Sequence, residues 1–281
     1  MSFSKLSWCA LVTACVLTAG CGDDSGGGSG GGGAGGTSGT GGAGGQGGVV
    51  PPPALDCDPL TPSYCGFPYP NDYWTAEDAT TVTGRQLTLP QVIMPQNMNG
   101  VQSTPGAFNE ADGFSPGIAA MTLLPGATTT GLATSVMIES SLLPDARTVI
   151  LNAATGERVP HWVEIDEYVV EAKKRVDAAE DRPDFDIDRG LAELEQERAF
   201  MVRPAVRLED ATRYIVAIRG VLDGEGAMIP ASPAFAALRD DEATSDPIVE
   251  SRRGHFEELF SSLAAEGIAR DDLQIAWDFT T

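Results

Sequence analysis

The 281-residue chain is predicted to carry a mainly β body with helical insertions, preceded by a disordered glycine-rich linker. Three observations predict this. From Phe67 onward, short β-branched and apolar runs alternate with Gly, Pro, Asn and Asp turn signals. The last run alternates cleanly, with Leu273, Ile275, Trp277 and Phe279 on one face and Gln274, Ala276, Asp278 and Thr280 on the other. Residues 22–48 hold 17 of the 33 glycines and almost no apolar side chains, so burial there cannot offset the entropy of ordering.

The elements follow in order from the N-terminus. Residues 1–20 read as a lipoprotein signal peptide: Lys5 gives a positive start, and the apolar run Trp8 to Ala19 is too short to span a bilayer. That run ends in Leu17-Thr18-Ala19-Gly20-Cys21, which resembles a bacterial lipobox, with Thr18 where Leu is commoner. Cys21 is therefore the expected lipidation site; the alternative is an ordinary signal peptide with an incidental cysteine. Residues 21–53 read as the lipidated cysteine followed by a flexible Gly/Pro-rich tether. A Gly/Ser chain of this length reaches about 30 Å, enough to hold a folded body clear of a membrane. The body then spans 54–281.

Cys9 and Cys15 leave with the leader and Cys21 takes lipid, so Cys57 and Cys65 remain as an even pair. In an oxidising compartment a local disulfide is expected, contributing roughly 2–3 kcal/mol by closing a short loop. Free thiols are the alternative. Within the body, 81–89 (TVTGRQLTL) reads as a hairpin around Thr83-Gly84. Ile118 to Leu124 reads as a buried strand, and Thr148 to Leu151 and Arg158 to Ile165 as a hairpin flanking NAATGE. Further strands are expected at Phe200 to Val202, ending at Pro204, and at Thr212 to Arg219, turned by DGEG at 223–226. Two insertions interrupt the strands. Residues 164–197 carry 13 acids against 5 bases and read as a solvated, partly helical insertion. Residues 247–266 read as a helix capped by Asp246, started by Pro247 and stopped by Gly267, with a stripe of Val249, Phe256, Leu259, Phe260 and Leu263.

Charge excludes several function classes. A net charge of −22 argues against a nucleic-acid partner and against docking on anionic headgroups through a basic face. Two histidines, His161 and His255, are too few for a His-rich metal site. No cofactor is expected.

A resemblance can be named on particular residues. ATRYIVAIRGVLDGEGAMIP, followed by AWDFTT, resembles the closing strands of bacterial Ig-like domains. With CGFPYPNDYW (65–74), NEADGFSPG (109–117), MVRPAVRLEDATRYIVAIR (201–219) and SPAFAALRD (232–240), the chain is similar to the N-terminal module of virulence-factor-type secreted bacterial lipases. Exported lipoproteins of myxobacteria-like organisms share this layout. The resemblance covers about residues 57–281 and implies an Ig-like β-sandwich. The acidic insertion departs from that pattern. In the family an α/β-hydrolase domain follows the F-T-T strand, so the resemblance also implies a hydrolase domain as partner.

Three groups of residues offer candidate chemistry. Gly113-Phe114-Ser115-Pro116-Gly117 satisfies G-x-S-x-G, but a nucleophile elbow needs a preceding strand and an N–H on the residue after the serine. NEAD is polar and Pro116 has no N–H, so a turn is expected. His161 reads as a semi-buried strand residue sharing a face with Val159, Val163 and Ile165, and His255 as lying at the solvent edge of its helix. Asp184, Asp186, Asp188 and Glu195 match positions 1, 3, 5 and 12 of a calcium loop, yet Arg189 stands where the turn wants glycine. A solvated acidic loop is the preferred reading. No catalytic residues are expected. The expected function is an exported, lipid-anchored envelope protein of the outer membrane or cell surface, its body a non-catalytic module of a lipase-like hydrolase. A stand-alone cell-surface binding or structural lipoprotein, contacting an envelope protein or a glycan, is the alternative.

Overall fold

A computed structural model describes residues 57–95, 97, 101–166 and 198–281. The leader, Cys21, the tether, most of the acidic insertion and the Asp184, Asp186, Asp188 and Glu195 quartet lie outside the described residues. The described part is mostly antiparallel strand with two α-helices. A two-stranded ribbon pairs β1 (Thr75–Glu77) with β2 (Arg85–Leu87). One three-stranded sheet has the order β3 (Ala120–Leu123), β6 (Ala199–Pro204), β5 (His161–Ile165). The other has the order β4 (Thr148–Asn152), β7 (Arg213–Arg219), β8 (Leu273–Thr280). Helices α1 (Pro233–Arg239) and α2 (Pro247–Ala265) lie between β7 and β8 in the chain.

Local chemistry accounts for the helix bounds. The Asp246 side chain accepts from the Ile248 and Val249 N–H groups at 2.8 and 3.4 Å, and Gly267 takes φ +75° beyond the end. The buried residues of α2 are the five of the expected stripe. Helix α1 went unread in the sequence because seven residues are too few to display a helical period. Ser232 caps it, and Phe235 packs edge-on against Phe256 and Phe260 of α2.

Three strand expectations need correction. The hairpin at 81–89 is displaced, since the partner of β2 is Thr75–Glu77 and residues 81–83 form the loop. There the Thr81 hydroxyl donates to the Arg85 carbonyl at 2.8 Å, so threonine side chains replace the ladder. The hairpin at NAATGE is shorter than expected: Asn152 N–H donates to Glu157 and Val159 N–H to Ile150 around one bridge, Leu151 to Arg158, and β4 and β5 then join different sheets. Beyond Val159 the chain leaves β4 and pairs with β6, the Pro160 carbonyl accepting from the Ala205 N–H at 2.8 Å.

The third correction concerns β8. All eight residues are buried, the even-numbered face included. Gln274 is enclosed by the turn after β7, accepting from the Val221 N–H at 2.7 Å, and Asp278 faces α2. Strand β7 likewise buries its five central residues, as expected of a strand covered on both faces. Side chains from both sheets and both helices share one hydrophobic core, which contains Trp74, Phe200, Tyr214, Phe235, Phe256 and Trp277. The four outer strands each bond to a neighbouring segment, as where Val163 N–H donates to Ala133 and Phe114 N–H to Thr280. Such contacts blunt the sheet edges.

Candidate functional site

Ser115 sits in a turn on the surface with no strand before it. Its hydroxyl oxygen accepts from the Gly117 N–H at 3.3 Å, and its carbonyl accepts from the Ile118 N–H at 3.1 Å. Nothing aims it at a base.

His161 is more deeply buried than the sequence suggested, at 0 % exposure. Its Nδ1 lies 2.8 Å from the Val159 carbonyl, which can only accept, so Nδ1 carries the hydrogen. Nε2 then accepts from the Thr148 hydroxyl at 3.0 Å. Burial holds the imidazole below its ordinary pKa, and the Arg158 charge adds to this, against the raising effect of the Val159 and Thr148 backbone groups. A depressed histidine keeps its contribution above about pH 6.5 and loses it as pH falls, because the unfolded chain then binds the proton first. Urea midpoints should therefore drop between pH 7.5 and 5.5, and the drop should shrink in His161→Gln. An unchanged slope in that variant would remove this account.

The densest polar group surrounds a cavity of about 180 Å³ lined by Asn71, Asp72, Tyr73, Arg85, Arg252, His255 and Asp278. Four parts of the fold build it. The turn Asp72–Trp74 supplies the first acid, capped by Asn71, and β2 supplies Arg85. Helix α2 presents Arg252 and His255, three residues apart and so on one face, and β8 presents Asp278. His255 is half-exposed, close to the edge position expected, but its partner was not foreseen: Nε2 meets Asp278 Oδ1 at 2.8 Å. The other Asp278 oxygen takes Arg213 Nε at 2.6 Å, and the remaining Arg213 nitrogens reach Glu258 at 3.1 and 2.8 Å. Asp72 accepts from the Thr280 N–H and hydroxyl at 2.9 and 2.7 Å and pairs with Arg85 at 3.1 Å. Beneath them Asp58 is fully buried against Arg252 at 2.8 Å and Asn71 at 2.7 Å.

The three carboxyls answer differently to this setting. Burial raises Asp58 above the usual carboxylate range despite Arg252. Burial and the nearby Asp278 charge raise Asp72 despite Arg85 and Thr280. For Asp278 burial also acts upward, but the His255 and Arg213 bonds and charges overcome it and hold the group low. Burial works against the Arg213 charge too, yet Glu258 and Asp278 raise it.

An Asp–His pair of this kind can orient an imidazole as a base, but a base needs a nucleophile within about 3 Å. The cavity lining has no serine, cysteine or threonine, and the Tyr73 hydroxyl donates to the Cys57 carbonyl at 3.1 Å. The contacts of the network join the entry segment, α2 and β8. Sequence reading missed it because Asp278 occupies the nominal outer face of β8, and no local pattern links it to Asp58, Asp72 or Arg213.

The sulfurs of Cys57 and Cys65 lie at bonding distance, 2.08 Å. Among the described residues no group of three or more His, Cys, Asp or Glu side chains is arranged to hold a metal ion. No helix among them is long and apolar enough to cross a membrane. Comparison with family models, curated proteins and solved structures finds no match.

Proposed function

We propose that this is an exported envelope protein, anchored through lipid on Cys21, whose Ig-like body serves a lipase-like hydrolase as a non-catalytic module. The anchor reading rests on the apolar leader, Ala19-Gly20-Cys21 and the glycine tether behind it. Support for the non-catalytic reading comes from one observation above the others: each side chain best suited to chemistry is tied into hydrogen bonds of its own. His161 is bonded within the core, His255 is held by Asp278, and Ser115 lies in an exposed turn. The Cys57–Cys65 disulfide belongs to the same reading, as a staple of the entry segment in an oxidising compartment. The Ig-like assignment rests on the TRYIV and WDFTT segments, which are the adjacent strands β7 and β8. The stand-alone binding protein remains the second reading, favoured by the cleft described below.

One experiment with two readouts tests the proposal on the full chain. Acyl chains contribute about 0.8 kcal/mol per buried CH₂, so the wild-type chain should fractionate with membranes, and Cys21→Ala should be released or left uncleaved. The same preparations should hydrolyse neither short- nor long-chain esters. Unchanged fractionation and N-terminal mass in Cys21→Ala would end the anchor reading. Ester hydrolysis abolished by Ser115→Ala would end the non-catalytic one.

A further inference from the structure

A second cavity of about 910 Å³ opens at the other end of the β4–β7–β8 sheet from the Asp278 network, between the loop ahead of β4, the turn after β7 and α1. Its volume falls within the roughly 300–1,000 Å³ of small-molecule sites. The walls are largely apolar, with Pro144, Met228, Ile229, Pro230 and Leu273 among them. Met228 is 65 % exposed, a large apolar side chain left in solvent beside an apolar cleft.

The charges around it are unevenly satisfied. Arg239 is spent on Asp240 at 2.7 and 2.8 Å and on the Leu273 carbonyl. Arg219 is held by two backbone carbonyls, Pro144 at 2.7 Å and Ala146 at 3.1 Å, with Asp272 no nearer than 3.9 Å. Arg147 donates to the Thr130 carbonyl at 3.1 Å and has no carboxylate partner among the described residues. Just outside, Arg158 donates to the Leu143 carbonyl, and burial together with the Arg219 charge lowers its pKa. Asp145, Asp271 and Asp272 also line the cleft. In a chain with 40 acids and 18 bases, guanidinium groups fixed by carbonyls rather than carboxylates keep charge available to a ligand.

We infer that this cleft binds an amphipathic organic anion, an aliphatic body against Met228, Ile229 and Leu273 with its carboxylate on Arg147 and Arg219. The inference is independent of the lipid anchor and of any hydrolase partner, so its failure leaves both untouched.

Titration calorimetry of the full chain tests it with four probes: dodecanoate, dodecanol, acetate and dodecyltrimethylammonium. Dodecanoate should bind best, because only it supplies both the tail and the negative head. Arg147→Gln should weaken dodecanoate binding about tenfold, the scale of one charge-assisted contact. Met228→Glu, at an exposed position tolerant of substitution, should weaken it at least as much by setting a carboxylate beside the anion. Thermal unfolding and circular dichroism of both variants should match the parent. No dodecanoate binding, equal binding of dodecanol or of the cation, or unchanged affinity in both variants would each overturn the inference.

Discussion

Replacing Trp277 by alanine should cost about 3–5 kcal/mol, a large share of the roughly 5–15 kcal/mol that stabilises a typical domain. The indole has 0 % exposure in β8, where Trp277 pairs with Val216 of β7. Truncation leaves a void that close-packed strands cannot collapse to fill. It also removes the indole N–H that donates to the Pro70 carbonyl at 2.7 Å, so a buried acceptor of the entry segment loses its partner. Trp277→Phe separates the two effects, keeping most of the volume and losing only the hydrogen bond, and should cost about 1–3 kcal/mol. Urea unfolding followed by circular dichroism measures both variants. A loss below about 1 kcal/mol in Trp277→Ala would mean that the indole is not packed within the shared core.

Arg252→Met should cost a comparable amount, about 3–5 kcal/mol near pH 7, through electrostatics rather than volume. The guanidinium is the only cation within ion-pair distance of the buried Asp58 among the described residues. It also lies over the Tyr73 and Phe256 rings at 4.6 and 5.0 Å. Methionine can fill much of the same space, but Asp58 is left with the Leu60 N–H and Asn71 alone. The sign of the pH dependence follows. Asp58 already sits above its ordinary value in the folded protein, and losing Arg252 pushes it higher. Between the unfolded value near 3.9 and that raised value, the folded state binds the proton and the unfolded state does not. The deficit of Arg252→Met should therefore narrow as pH falls from the variant's folded value to the parent's, where the variant alone takes up the proton. Adding Asp58→Asn should recover much of the loss, since an amide needs no counter-charge. Strict additivity of the two substitutions, or a pH-independent deficit, would refute the pairing.

Parts of this fold were legible because their causes are local. Asp246-Pro247, Gly267 and the Val249-to-Leu263 stripe define α2 within twenty-odd residues, and capping and helical period act over that range. The β-branched run of β7 was readable for the same reason, as was the turn at Ser115 from Pro116. Helix α1 escaped because about two capped turns carry too little period to register.

Partner choice was not legible. Nothing within NAATGE says that β4 will pair with β7 rather than β5; that depends on a residue 62 positions on, Tyr214, opening a ladder beside Asn152. The candidate site was half visible. His255 could be placed at the edge of its helix stripe, but the acid it meets is buried only because a helix covers the face of β8 that alternation assigns to solvent. The same holds for Asp58 with Arg252, 194 residues apart, and for Asp72 with Thr280, 208 residues apart. What the sequence determined by itself are the β-rich body, its main helix and the cysteine spacing, all written in patterns a few residues long. The tertiary structure alone decided which faces are covered and which charges meet, because burial and long-range pairing depend on what the rest of the chain brings to each surface.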